Sequence, residues 1–325
     1  TGFHAEILKG PGTINNVTFA QLTTGVARAY RHVREHPSVS ITYDSRIYGK
    51  AFADYVGAIF LKEGLTIYLF DQASPMPEMS YSVAELKLDL GILVSASHNP
   101  AVYNGYKVSN FVGAQLDPLT RGRILDCIYG KRKREDPASW EIPPVTFADI
   151  ADVLDASVVL QDPLAVYQIP AGSDELGPLV ERFSQGRPDR VVVLEERDIN
   201  HDRKGRRHIN IHGHHAEHVL GMVLDPELLK RQGAFLKVLY SAFYGVGLDA
   251  FKRLAVKGLQ LESPKTVHEF DRPDGMFPRM TWRMVAGTAD PIIPDPGNSA
   301  GQAFAWEEVI KELITQHGAD ATAAL

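Results

Sequence analysis

Apolar positions in the first third of the chain switch between two periods. From Phe19 to Val33 they recur at helical spacing, Val39 to Tyr43 alternates as a strand does, Ala51 to Glu63 is helical again, and Thr66 to Phe70 reads as another strand. The unbroken run Leu90-Gly91-Ile92-Leu93-Val94 has the pattern of a strand buried on both faces. Strands separated by helices of this length imply crossover connections, so the spacing predicts an α/β fold with a mostly parallel sheet. Polar groups cluster directly after the Leu90–Val94 strand, in Ser95-Ala96-Ser97-His98-Asn99-Pro100 and then Tyr103-Asn104-Gly105-Tyr106-Lys107. The Asn-Pro and Asn-Gly pairs predict two turns, which sets these groups at the carboxyl end of a sheet strand, where open α/β sheets do chemistry.

Further along, the signal weakens. Pro137, Pro143, Pro144, Pro163, Pro170, Pro178 and Pro188 punctuate the stretch from Lys131 to Arg207, and the charged run Asp198 to Arg207 reads as a solvated surface loop. The domain boundary is expected at its end, giving domains over 1–207 and 208–325. The second opens with a histidine-rich segment in which His214 and His218 would share a helix face. Two such imidazoles could hold a divalent metal, or the segment is an exposed lead-in to the second domain. The Lys237–Gly247 run is read as a strand and a glycine-containing loop leading into helix Leu248 to Ala255, and an amphipathic helix is predicted from Trp306 to His317. The expected architecture is two consecutive, mainly parallel-sheet α/β domains.

Composition narrows the function classes. A chain of 325 residues with 44% hydrophobic content can bury more than one core. Its 34 basic and 40 acidic side chains, spread along the chain with a net charge of -6, argue against a nucleic-acid partner. The single cysteine, Cys127, excludes an intrachain disulfide and a thiolate zinc cluster and fits a reducing compartment. With no apolar stretch of membrane-spanning length and no basic-then-apolar leader, a cytoplasmic location without a membrane partner is expected.

The polar loop is built to activate a serine. A free hydroxyl is a poor nucleophile at neutral pH, and His98 or Lys107 could supply the base or the cationic setting that Ser97 needs. Gly105 is expected to turn the backbone through positive φ and bring Lys107 toward Ser97.

Taken together, Ser95-Ala96-Ser97-His98-Asn99-Pro100 and Asn104-Gly105-Tyr106-Lys107 resemble the signature of the α-D-phosphohexomutases, the phosphoglucomutase and phosphomannomutase superfamily. Tyr43-Asp44-Ser45-Arg46, Pro75-Met76-Pro77-Glu78 and Gly113-Ala114-Gln115-Leu116 extend the resemblance, as do the Lys237–Gly247 run, Pro273 to Pro278 and Pro294-Asp295-Pro296. The resemblance implies that Ser97 carries a phosphoryl group, that His98 and Lys107 are the neighbouring acid/base and charge-stabilising groups, and that Asn99, Asn104, Arg46 and His4 bind substrate or phosphate. His4 stands where the family places an arginine, and Tyr244 where it places a histidine. It further implies Mg2+, contacted here only through the Ser97 phosphoryl oxygen, and glucose 1,6-bisphosphate as activator. The family's Asp-x-Asp-x-Asp-Arg metal loop follows a Gly-Ala-Asp like Gly318-Ala319-Asp320, and this chain stops at Leu325. The chain is therefore expected to be the amino-terminal half of a phosphoglucomutase-like enzyme, inactive without its carboxyl-terminal domains. Its parent would interconvert glucose 1-phosphate and glucose 6-phosphate, with mannose and pentose specificities left open. The alternative is a non-catalytic sugar-phosphate-binding or regulatory relative, in favour of which His4, Tyr244 and the absent loops speak.

Overall fold

The structure, a computed structural model, describes residues 2–8, 12–97, 99, 101–155, 177–184 and 186–236, and beyond these residues 238, 240–262, 265–266, 268–275, 283–284, 291–292, 307, 310–312 and 314–316. The chain forms two units. One comprises Thr1–Asp44, Tyr48–Ala96 and Tyr103–His212, and the other gathers Ser45–Ile47, Ser97–Val102 and Gly213–Leu325. A boundary at 207/208 would cut the last strand of the first unit, whereas this break falls just beyond it.

The first unit is organised by a seven-stranded sheet. Its strands are β1 (Gly2–Glu6), β2 (Ser38–Tyr43), β3 (Thr66–Phe70), β4 (Leu90–Val94), β5 (Tyr103–Ser109), β8 (Val191–Glu195) and β9 (Arg207–Asn210), in the order β1-β5-β4-β2-β3-β8-β9. The five from β4 to β9 run parallel, and β5 and β1 add an antiparallel edge. Two short strands, β6 (Lys131–Arg132) and β7 (Trp140–Ile142), form a separate pair. Helices α1 (Asn16–Arg31), α2 (Gly49–Lys62), α3 (Met76–Glu85), α4 (Pro118–Tyr129) and α5 (Phe147–Asp155) make the connections that parallel strands require.

Local chemistry starts these helices where they start. Asn15 Oδ1 accepts from Thr18 N–H and Thr18 Oγ1 accepts from Asn15 N–H, both at 3.1 Å, a capping box on α1. Asp117 caps α4 by accepting from Leu119 and Thr120 N–H at 2.9 and 3.0 Å. Phe19 of α1 packs on Phe52 of α2 and Tyr106 of β5, with ring centroids 4.5 and 5.4 Å apart, and Ile41, Ile59, Ile67 and Ile92 are fully buried around them. Each such side chain contributes about 1.5–3 kcal/mol on burial.

Three expectations change. Tyr103 to Lys107 is not a turn but the start of β5, which pairs antiparallel with β4, Val94 with Tyr106 and Leu93 with Lys107. Inside the weak-signal region, Val191-Val192-Val193-Leu194 forms a strand buried along its whole length. The charged run 198–207 is also not simply solvated. Arg206 is buried and donates from Nε to Asp202 at 2.8 Å, and His208 bridges Asp202 and Glu195. Burial alone would raise the Asp202 carboxyl, but the hydrogen bonds from Arg206, His208 and Lys204 hold it well below its usual range.

The second unit's described residues include most of the helix Ile211–Leu220, the helix Pro226–Gln232, and the helix Gly247–Phe251, which runs on as a π-helical turn over Lys252–Gly258. A short antiparallel pair joins β10 (Arg283–Met284) to β11 (Pro291–Ile292). Of the strand expected within the Lys237–Gly247 run, the described residues 238 and 240–246 are not strand. Val238 O accepts from Lys265 N–H at 2.9 Å and Tyr240 N–H donates to Lys265 O at 3.1 Å, but Phe243 and Tyr244 take φ of 46° and 63°, which no strand continues through. Tyr244 is buried edge-on against Phe270, ring centroids 5.3 Å apart. Residues 307, 310–312 and 314–316 of the expected terminal helix are helical. Phe277, Pro278, Pro294-Asp295-Pro296 and Gly318-Ala319-Asp320 lie outside the described residues. Among the described residues no helix is long and apolar enough to cross a membrane.

Candidate functional site

In the first unit, parallel neighbours β2 and β4 end side by side, and the residue after each supplies the first pair of functional groups. Asp44 follows β2 and Ser95 follows β4. Asp44 N–H donates to Val94 O at 3.3 Å, Ser95 N–H donates to Gly105 O at 3.1 Å, and Ser95 Oγ–H donates to Asp44 Oδ2 at 2.5 Å. Ser95 is only 4% exposed, so its hydroxyl serves as a tie between two strand ends. A hydrogen bond to a carboxylate of this kind is worth about 1.5–3 kcal/mol.

The hairpin partner β5 and the edge strand β1 bring His4 and Lys107 to the same region. The register sets His4 opposite Gly105 and Gly2 opposite Lys107. A Cβ on Gly105 would run into His4 Cδ2 and the Ser95 carbonyl oxygen, and one on Gly2 would meet Lys107 Cγ at 2.9 Å. Gly105 is thus required by close approach in an extended strand, not by the positive φ expected of it. Because strand side chains alternate, Lys107 and His4 stand on one face, while Asn104 and Tyr106 stand on the other. Asn104 is fully buried, and its Oδ1 accepts from Gly105 N–H at 2.8 Å, which makes it part of the hairpin's packing. Burial pushes the phenols of Tyr106 and Tyr43 up, with Asp54 and Asp71 adding to the effect at Tyr43, so both stay protonated and neither is a base.

The remaining motif residues belong to the second unit. Ser97 is exposed and adopts φ of 58°, a left-handed conformation that costs a non-glycine residue roughly 1–2 kcal/mol. Arg46 is 3% exposed, and its Nη2 donates to the carbonyl of Ser97 at 2.8 Å and to the carbonyl of Asn99. Gly275 packs against the same segment, since a Cβ there would meet Ile47 N at 2.5 Å and Ser45 O at 2.6 Å. His98 and Pro100 lie outside the described residues.

The structure therefore joins Arg46, Ser97 and Asn99 in one unit and His4, Lys107, Ser95 and Asp44 in the other. Sequence reasoning missed two contacts at the carboxyl edge of the sheet. One is the Asp44–Ser95 tie, which the adjacency of β2 and β4 could have exposed. The other joins Glu78, in the first turn of α3, to His212, which follows β9. His212 Nδ1 lies 2.7 Å from Glu78 Oε2 and its Nε2 lies 3.3 Å from Gln72 Nε2, both His212 and Glu78 being 1% exposed. A proton on Nδ1 satisfies both contacts. The histidine-rich segment is therefore not simply an exposed lead-in, since His212 and His215 are buried. His214 and His218 lie on the helix Ile211–Leu220, and among the described residues no group of three or more His, Cys, Asp or Glu side chains converges to hold a metal ion.

Residues 2–135 match the family model described as phosphoglucomutase/phosphomannomutase, alpha/beta/alpha domain I. A phosphoglucomutase of Staphylococcus haemolyticus is 37% identical over 127 residues, 39% of this chain and 23% of that protein. One from Staphylococcus saprophyticus is 36% identical over 127 residues, again 39% and 23%. A putative phosphomannomutase from Thermus thermophilus superposes with a TM-score of 0.54 at 18% identity, covering 88% of this chain and 48% of that one. A phosphoglucomutase/phosphomannomutase family protein from Burkholderia thailandensis gives 0.54 at 16% identity, covering 97% and 49%. The chain spans about a quarter of the curated relatives' length and about half that of the solved structures.

Proposed function

We propose that this chain, whose residues 2–135 match the phosphoglucomutase/phosphomannomutase domain I model, is the amino-terminal part of a phosphohexomutase in which Ser97 is the phosphoryl carrier. The observation that carries this reading is the contrast within Ser95-Ala96-Ser97. Ser95 is buried and committed to Asp44, whereas Ser97 is exposed on the loop that follows β4, its own carbonyl held by Arg46.

In the proposed reaction, Ser97 Oγ attacks the phosphorus of one phosphoester of a sugar bisphosphate. The bond from phosphorus to the sugar oxygen breaks as the new one forms, the serine proton passes to a base, and the departing sugar oxygen is protonated. In the other half-reaction the free hydroxyl of an incoming isomeric sugar monophosphate attacks the phosphorus on Ser97, the bond from phosphorus to Oγ breaks, and the bisphosphate that forms can give its other phosphoryl group to Ser97, which completes the isomerisation. Lys107 supplies positive charge and His98 is the candidate acid/base. Phosphoryl transfer is mostly positioning and charge neutralisation, and Mg2+ adds the latter when bound. Among the described residues no set of carboxylates converges to hold it. Glucose 1-phosphate and glucose 6-phosphate are the proposed substrates, with glucose 1,6-bisphosphate as activator, and the relatives' names support this choice. This chain alone is expected to show little turnover.

The test uses the longer protein that contains this chain, incubated with glucose 1,6-bisphosphate and Mg2+. Intact mass and peptide mapping should find one phosphate, on Ser97, and Ser97→Ala should abolish glucose 6-phosphate formation in a coupled assay. Lys107→Ala should lower kcat by orders of magnitude, while His214→Ala and Cys127→Ala leave it nearly unchanged. Phosphate on another serine, or turnover by Ser97→Ala, would sink the reading. Sugar-phosphate binding with no phosphoenzyme would favour the non-catalytic alternative.

A further inference from the structure

Arg46 looks in sequence like a phosphate-binding fork, yet its guanidinium is turned inward. It is buried, and Nη2 donates to two carbonyls of one loop, those of Ser97 and Asn99. A guanidinium withdrawn from water must spend its donors on fixed acceptors, and two backbone carbonyls two residues apart are such acceptors. The first of these carbonyls belongs to Ser97, which holds the disfavoured left-handed conformation with φ of 58°. We infer that Arg46 is a positioning residue for the serine loop. Its Nη2 bridges the Ser97 and Asn99 carbonyls, holds the Ser97 backbone left-handed, and so fixes where Oγ is presented, without contacting the phosphate itself. Gly275, packed on the backbone of residues 45–47, supports the clamp from behind.

This inference rests on the reading of Ser97 as phosphoryl carrier, and its test is built to fail separately from that reading. Arg46→Ala and Arg46→Lys are made in the longer protein that contains this chain, and two properties are followed. The first is hydrogen–deuterium exchange of peptides covering residues 95–103, with peptides of β2 and β4 as internal controls. The second is kcat and KM for glucose 1-phosphate. Loss of the clamp should speed loop exchange by about tenfold or more in Arg46→Ala, with the strand peptides unchanged. In the same variant kcat should fall by about a hundredfold, with KM within about threefold of wild type.

Lysine carries its ammonium on a shorter, flexible stem without the rigid guanidinium plane that sets Nη2 between the two carbonyls, so Arg46→Lys should fold and keep KM but recover only part of kcat. Added guanidinium should raise kcat of Arg46→Ala and slow its loop exchange. If Arg46→Ala does not fold, the exchange and kcat of Arg46→Lys decide. A direct phosphate ligand would instead raise KM by about tenfold and leave loop exchange untouched, and that result overturns the clamp. Should wild type accept no phosphate on Ser97, the mutase reading fails while the exchange measurement still judges the clamp.

Discussion

Ser95 and Ser97 are two residues apart and carry the same hydroxyl, yet they differ in everything that decides reactivity. Ser95 extends the β4 ladder, is buried, and donates to the Asp44 carboxylate at 2.5 Å. Ser97 leaves the ladder, is exposed, and takes a left-handed backbone held by Arg46. A carboxylate alongside a serine is commonly read as an activating base, but the proposed function gives the carboxylate-bound, buried Ser95 a structural role and the exposed Ser97 the chemistry.

The sharpest way to break this contrast is to delete each hydroxyl in turn. Ser97→Ala should remove phosphoryl acceptance altogether, whereas Ser95→Ala should still be phosphorylated on Ser97, as read by phosphopeptide mapping. If Ser95→Ala lost the phosphoenzyme while remaining folded, the division of roles would be wrong. The second-largest effect concerns Gly105, which lies against Ser95 O and His4 Cδ2. Gly105→Ala forces a methyl into that contact and should cost about 3 kcal/mol in chemical denaturation, the upper part of the range for overpacking. Ser95→Ala should cost somewhat less, about 1.5–3 kcal/mol, from the lost tie to Asp44. An effect on stability near zero would mean that the tie is not formed in solution.

Much of the first unit was legible because its periods are clean. Thr66–Phe70 and Leu90–Val94 are strands with the expected limits, and the strands expected from Val39 and the helix expected from Ala51 appear with their starts shifted by a residue or two. What misled was local chemistry read without its partner strand. Asn104-Gly105 is a turn signal in isolation, but antiparallel pairing with β4 and β1 overrides it, and the glycine's use proved to be steric. Val191–Glu195 was hidden among prolines and charges, although its apolar run is as unbroken as that of β4. The Asp44–Ser95 and Glu78–His212 contacts join residues far apart in sequence, and only the order of strands in the sheet brings them together. In the second unit, positive φ at Phe243 and Tyr244 ends a run that composition alone reads as a strand.

The smallest effect tests whether Ser97 is held against its own preference. Glycine adopts positive φ without the Cβ penalty of serine, which is roughly 1–2 kcal/mol, but it gives up about 0.5–1 kcal/mol in unfolded-chain entropy. Ser97→Gly should therefore leave the protein slightly more stable, by about 0.5–1 kcal/mol, while abolishing phosphoryl acceptance. Combined with Arg46→Ala, it sharpens the contrast further. If Arg46 holds the left-handed backbone, a residue that needs no holding should soften the loss, and the double variant should be more stable than the sum of the singles by about 0.5–1 kcal/mol. Strict additivity in denaturant midpoints, at unchanged m-value, would show that the clamp and the strain are unrelated.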